Sequence, residues 1–424
     1  MAKKKLLFFS IFIIIILVFV LTVYNIIYKN NNIYLNNKDE APNFISIMLE
    51  ETAGSGEYKV SKSNKWPSKG YVFNKEMSYC NNGSTLTWNE NDNSVSVNIN
   101  KTDKCQVYFD IQPTLVEYVI SQYTGTQGGN GIYYHNSTLA NGAGDNSYRY
   151  AGPSDSVNNF VCFGTKANPC PTDNLYRIIG VMDGKVKLIK YDYANDNLLG
   201  TDGDYYGSDA PDASYYKGSL TTINTYYWNN ATKTNTWSES NLNKVNLNTN
   251  YINNIGITWA NKIATTTWKV GNGSIDKISF SVPKTAYQNE VGSSASTITY
   301  DAKIGLMYAS DYYYAAGPSA WTLVGYNYND ATNDYRAATS INWIHMGMHE
   351  WIISRDSYYS DKAYYASKPG FVTSYYVIGS EYYNLFGARP SFNLLSSITY
   401  VSGSGSMSDP IRITDWRTVL KKHR

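Results

Sequence analysis

Hydrophobic positions along the chain fall into three regimes. From Leu6 to Val23 they are continuous, broken only by Ser10 and Thr22, and at about 1.5 Å of rise per residue such a run crosses most of a hydrocarbon core. From Tyr58 to Asp110 they come in short alternating runs separated by Asn, Gly, Ser and Asp. In the stretch 94–100, Val95, Val97 and Ile99 point one way and the polar residues the other, which is the period of a half-buried strand. Beyond Pro113 the pattern is mixed. Leu115, Val116, Val119 and Ile120 share one helical stripe with Pro113 just ahead of it, predicting a short amphipathic helix. Residues 121–159 are mostly Gly, Asn, Ser and Thr and read as a long loop. Leu175–Val181 and Lys185–Ile189 read as two strands around Met182-Asp183-Gly184, a hairpin turn signal. Residues 220–263 carry aliphatics at roughly helical intervals, and 268–282 returns to strand character. Ile304–Ala316 predicts a strand followed by a helix capped by Ser310 or Asp311, and 341–413 is a string of short aromatic segments.

These regimes divide the chain into a Lys cluster and transmembrane anchor (1–28), a polar linker ending in Ala-Gly-Ser-Gly (29–56), a small all-β unit, sandwich or meander (57–110), and a larger α+β domain with few helices and much loop (111–424). Lys3, Lys4 and Lys5 precede the apolar run, so the positive-inside rule keeps the N-terminus in the cytoplasm and sends everything after residue 28 outside. The expected localisation is a single-pass cell-membrane protein with its bulk extracellular and the membrane as a partner. A cleaved secretory signal is the alternative. Its apolar region typically runs about 7–15 residues to a small-x-small site, whereas this run is longer and passes into Tyr24-Asn25-Ile26-Ile27-Tyr28.

All four cysteines follow that run. An even number outside the cytosol is the form of a disulfide framework, and proximity pairs Cys80 with Cys105 and Cys162 with Cys170. Neither pair has the C-x₂₋₄-C spacing of a zinc site, and the four histidines lie far from them in sequence. The alternative is four free thiols in an organism that does not oxidise its surface proteins. A net charge of +2 with no basic block after the N-terminus argues against nucleic acid. Tyr is in excess, at 41 residues; its apolar body and polar tip suit contact surfaces and stacking on sugars, while drift in an AT-rich genome would also enrich it alongside Asn.

Chemistry-bearing motifs are few. His345 and His349-Glu350 lack the spacing of a zinc protease, since the residue three after Glu350 is Ile353 and Met348 stands where the inverted motif needs Glu. No Gly-x-Ser-x-Gly elbow and no phosphate loop occurs. Asp202 with Asp204 and Asp209 with Asp212 read either as a glycosidase's acid pairs or as ordinary turn residues. No catalytic residue, metal ligand or cofactor is assigned.

Three segments carry a resemblance: Leu175-Tyr-Arg-Ile-Ile-Gly180, Gly347-x-x-Glu350-Trp351-x-x-Ser354-Arg355, and Ala388-Arg389-Pro390-Ser391-Phe392-Asn393-Leu394. With Gly403-x-Gly405 and Asp409-Pro410-Ile411-Arg412-Ile413 after them, the chain resembles an uncharacterised domain of anchored surface proteins in Firmicutes and related gut bacteria. The Gly-x-x-Glu-Trp element and the late Arg are also similar to the formylglycine-generating-enzyme group, which implies a C-type-lectin-like fold. That enzyme's late cysteines and the lectins' calcium motifs are both missing. What the resemblance implies is a binding or structural core made of Glu350, Trp351, Arg355 and Arg389, with Glu350 and Arg389 as a buried pair holding loops. The expected function is a bacterial cell-surface binding protein that recognises carbohydrate or a host glycoprotein through an aromatic, Asn/Gly-rich surface. The alternatives are an extracellular enzyme acting on glycans or the wall, and a structural envelope component.

Overall fold

The computed structural model describes residues 44–52, 55–62, 67, 70–89, 94–98, 103–271, 273–379 and 386–415, and the chain divides into two units between Ile111 and Gln112. In the first unit the alternating runs become strands β1 (Phe44–Glu50), β2 (Tyr58–Val60), β3 (Tyr71–Cys80), β4 (Thr85–Asn89), β5 (Ser94–Asn98) and β6 (Lys104–Ile111). Four of them form a sheet in the order β2-β1-β6-β3, and β4 and β5 form a separate ribbon. β1 runs parallel to β6, which a sandwich or meander of sequential hairpins would not produce. β1 also lies inside the segment read as linker, because Phe44-Ile-Ser-Ile-Met-Leu alternates well enough to pair. Among the described residues the hydrophobic cluster of this unit is Ile47, Phe73, Val107 and Phe109, with Cys105 also buried. Cys80 faces Cys105 across β3 and β6, and the two are disulfide-bonded with their Cα atoms 4.0 Å apart.

The second unit opens with helix α1 (Leu115–Ser121), whose Thr114 and Glu117 form a capping box. Its main sheet has seven strands: β7 (Ile132–Tyr134), β8 (Tyr148–Tyr150), β9 (Phe160–Cys162), β10 (Leu175–Met182) and β11 (Lys185–Lys190), joined later by two short strands. β12 (Tyr205–Asp209) pairs β13 (Ile223–Tyr226), and β14 (Thr266–Lys269) pairs β15 (Thr299–Ala302). β16 (Ile304–Gly305) returns to the main sheet. A second, four-stranded sheet takes β17 (His349–Arg355), β18 (Lys362–Ala366), β19 (Val372–Tyr376) and β20 (Phe386–Gly387), after which β21 (Ser391–Asn393) completes the first in the order β16-β21-β11-β10-β8-β7, with β9 on β10. β22 (Ile398–Ser402) and β23 (Arg412–Asp415) close the chain as a ribbon. Cys162, at the end of β9, is bonded to Cys170, holding the loop that leads into β10.

Much of this unit is irregular backbone, and its aromatic residues satisfy it. Buried hydroxyls donate to loop and element-end carbonyls: Tyr312 to Gly370, Tyr313 to Ile278 and Tyr335 to Tyr313, each at 2.9 Å. Indole N–H groups do the same, Trp351 to Tyr226 at 2.7 Å and Trp343 to Tyr150 at 2.8 Å. A buried backbone acceptor left unpaired would cost about as much as a lost hydrogen bond. A Tyr-rich core therefore supplies apolar bulk and loop satisfaction from the same side chain.

Two sequence expectations are corrected. Among the described residues strand outweighs helix, 33% against 19%, and the C-type-lectin-like α+β assignment with an N-terminal membrane helix does not describe this sheet-rich fold. The expected membrane span, residues 6–23, lies outside the described residues, and among the described residues no helix is long and apolar enough to cross a membrane. The expected single-pass cell-membrane localisation therefore has no support among the described residues. The two disulfides are the chemistry of an oxidising, extracellular setting.

Candidate functional site

Register in the main sheet brings charged residues into one row. Arg149 of β8 pairs with Gly180 of β10, Gly180 with Lys187 of β11, and Lys187 with Asn393 of β21. Directly opposed residues share a face, so Arg149, Lys187 and Asn393 rise from the same side with no side chain between the first two. Gly180 follows a bulge in β10, and a Cβ there would run into the Tyr148 carbonyl; glycine is what lets β8 come this close.

Over that row lies the start of helix α3 (Ala309–Tyr314), which follows helix α2 (Pro283–Glu290) in the chain's helix order. Asp311, in the first turn of α3, accepts the Tyr308 amide at 2.8 Å and the Lys187 ammonium at 2.5 Å through Oδ2. Its Oδ1 stands 3.6 Å from Arg149 Nη1. On the other side Arg149 Nη2 donates to Asp145 Oδ2 at 2.7 Å and Nε to Ser147 Oγ at 2.8 Å. Ser147 in turn gives its N–H and hydroxyl to Asp145 Oδ1. The Arg149 guanidinium lies over the Tyr287 and Tyr314 rings, and Lys187 Nζ over Tyr308 and Trp268. The result is a cavity of about 380 Å³ with this ion-pair chain as its floor. Tyr287, Tyr308 and Trp268 line it, and Lys185 and Lys269 are among the residues around it.

Electrostatics fixes the protonation states. Burial acts to raise the Asp145 carboxyl, but Arg149 and the Ser147 hydrogen bonds outweigh it and hold the group well below the usual carboxylate range. Burial likewise opposes the charge on Arg149, and Asp145 and Asp311 more than restore it. Lys187 is pulled below the usual amine range by burial, against the attraction of Asp311. The acids of the floor, Asp145 and Asp311, are thus each tied to a cation, Arg149 and Lys187.

The residues picked out from sequence lie elsewhere. Arg389 Nε and Nη2 donate to the two oxygens of Glu350 at 2.8 and 2.6 Å, and Nη2 also reaches the Ile344 carbonyl at 2.6 Å. Both side chains are almost wholly buried. Trp351 stacks on Phe386 with ring centres 4.0 Å apart. Arg355 is half-buried at the end of β17, with Nη1 3.4 Å from Asn235 Oδ1. None of these four lines the cavity. His349 begins a strand, so the helical spacing that would let it share a metal with His345 is absent; its Nδ1 accepts the Lys368 amide, and His345 Nδ1 meets the Tyr312 hydroxyl. Cys80, Asp103 and Cys105 cluster closely enough to suggest a metal site, but both sulfurs are consumed in the disulfide and Asp103 accepts the amides of Asn82, Ser84 and Lys104. Asp204 is occupied with the Asn230 and Leu242 amides, and Asp202 with Asn250.

Sequence reasoning missed Arg149, Asp145, Lys187 and Tyr287, and saw Asp311 only as a helix cap. The alternation Tyr148-Arg149-Tyr150 was a strand signal inside a stretch read as loop. Compared with protein-family models, curated proteins and solved structures, the chain matches none.

Proposed function

We propose that the chain is a binding protein of an oxidising, extracellular setting and that its ligand is a saccharide, free or on a glycoprotein, taken into the cavity between β8, β11, β14 and α3. The observation that supports this most directly is a cavity of about 380 Å³ in which Asp145, Ser147, Arg149, Lys187 and Asp311 are held in one polar chain while tyrosine and tryptophan form walls. Sugar hydroxyls donate and accept at once, so a site that fixes carboxylates, amides and cations beforehand avoids ordering them on binding. Aromatic walls supply apolar contact for the C–H faces of the ring. Binding rather than glycoside cleavage is favoured by the state of the acids. Asp145 is held ionised and Asp311 is committed to Lys187 and the Tyr308 amide, whereas hydrolysis needs one carboxyl kept protonated. Glu350 and Glu290, whose carboxyls burial raises above the usual range, lie outside the cavity's lining.

Screening the full-length chain on a glycan array, followed by calorimetric titration of the hits, tests the reading. Tyr287→Ala removes a wall and should weaken each hit while the protein melts within a few degrees of the parent. An array without any saturable hit, or hits indifferent to Tyr287→Ala, overturns it.

A further inference from the structure

We infer that the cavity prefers a saccharide carrying an anionic substituent, a carboxylate or a sulfate ester, and that Arg149 and Lys187 receive that group. This rests on the saccharide reading above. Arg149 is only 3% exposed, yet its donors are not all used. Nε and Nη2 are taken by Ser147 and Asp145, while Nη1 makes only the 3.6 Å approach to Asp311, beyond hydrogen-bond distance. A guanidinium carries five donors in a planar fork, so the two on Nη1 are free for an acceptor that enters the cavity. Lys187 has three donors and spends one on Asp311. Asn393, next in the row, uses its amide N–H on Thr266 Oγ1 and adds no charge.

Summed over the lining, Asp145, Asp183 and Asp311 face Arg149, Lys185, Lys187 and Lys269. Asp145 and Asp311 are matched by Arg149 and Lys187, which leaves Lys185 and Lys269 against Asp183 alone. Neither of those two lysines is in an ion pair among the described residues. A neutral sugar would leave the Nη1 donors to weak acceptors. An anionic oxygen pair gives them charge-assisted bonds, and the two half-buried lysines favour its approach. Asp311 sets the depth, since a group that displaced it from Lys187 would leave a buried carboxylate unpaired. The anion is therefore received beside Arg149 Nη1 rather than between Lys187 and Asp311.

The test compares matched probes on the full-length chain by calorimetry: galacturonate and glucuronate oligosaccharides, the same oligosaccharides reduced to their neutral forms, and sulfated counterparts. At least one anionic series should bind ten-fold or more tightly than its neutral match, and that margin should shrink as salt rises from about 50 to 500 mM. The two anionic arms show which substituent is favoured. Because Arg149→Ala unpairs Asp145 and invites unfolding, the deciding variant is Lys185→Ala/Lys269→Ala, which leaves the buried network intact. It should lose several-fold more affinity for the anionic probe than for the neutral one, and an equal loss for both overturns the inference. Equal affinity for anionic and neutral members overturns the inference while the saccharide reading stands. Binding of no saccharide overturns both.

Discussion

Acidification should unfold this protein through its buried histidines. His135, His345 and His349 are 0%, 4% and 9% exposed. Burial lowers each of them, helped by Arg149 at His135, by Lys217 and Arg389 at His345, and by Lys368 at His349. His345 falls to about 3 and His349 to about 4, and His135 also lies well below its usual range. A histidine is near 6.5 when unfolded. Between that value and the folded one the unfolded chain binds a proton that the fold refuses, so stability is present above about pH 6.5 and is lost as pH falls toward the folded values. At pH 5 the loss depends only on the 1.5 units between 6.5 and 5, at about 1.36 kcal/mol per unit. Each histidine thus costs about 2 kcal/mol and the three about 6 kcal/mol, comparable with the whole stability of a typical domain. Glu290, Glu350 and Asp204, raised by burial, take up protons in the fold and work in the opposite sense. Comparison with single His→Gln variants removes that offset. Urea unfolding at pH 7.5 and pH 5 should show each variant losing about 2 kcal/mol less than the parent between the two pH values. Variants that lose as much as the parent, within about 0.5 kcal/mol, would refute the claim that these rings are held neutral.

Glu350→Ala or Arg389→Ala leaves the other charge buried without a partner and should cost about 3–5 kcal/mol; thermal melts check it, and an unchanged melting temperature contradicts the pair's role in holding β17 to the Ile344 loop. Replacing Cys162 and Cys170 together by Ser opens a nine-residue loop and should cost about 2.5 kcal/mol by chain entropy, with denaturing thiol titration of the parent finding no free sulfhydryl. Gly180→Ala drives a methyl against the Tyr148 carbonyl and should lower stability by about 2 kcal/mol or more; it should also weaken any cavity ligand by displacing Arg149, which binding and melting curves on one sample will show.

Local pattern was readable wherever neighbours in sequence decide the structure. The hairpin of β10 and β11 forms around Asp183-Gly184, with both residues at positive φ as its turn requires. The stripe of Leu115 and Val119 is buried and its helix carries a capping box. The cysteines pair with their sequence neighbours because β3 and β6 place residues 80 and 105 opposite each other. The parallel pairing of β1 with β6 was not readable, since nothing in a strand's alternation names its partner. The role of the buried tyrosines was not readable either. Exposed contact surface was the expectation, and Tyr358 and Tyr328 do stand 79% and 70% exposed. Yet Tyr312, Tyr313, Tyr335 and Tyr364 are buried with their hydroxyls on backbone carbonyls, because a loop-rich interior needs donors more than it needs aliphatic bulk.

The cavity stayed hidden for a related reason. Arg149, Lys187 and Asp311 are separated by 38 and 124 residues in sequence, and each has an ordinary local explanation: a strand residue among tyrosines, a polar position in a hairpin, an acid in a helix's first turn. The register β8-β10-β11 brings Arg149 and Lys187 into one row, and only the docking of α3 adds Asp311 to them. Asp311 shows how one residue serves both levels. Its Tyr308 hydrogen bond would form in an isolated helix end, whereas its bond to Lys187 exists only once α3 docks on the sheet. The docked carboxylate then prevents Lys187 from being an uncompensated buried cation, and Asp145 does the same for Arg149. Breaking either acid would release a charge into the cavity, so the network that stabilises the sheet also sets what the cavity can accept.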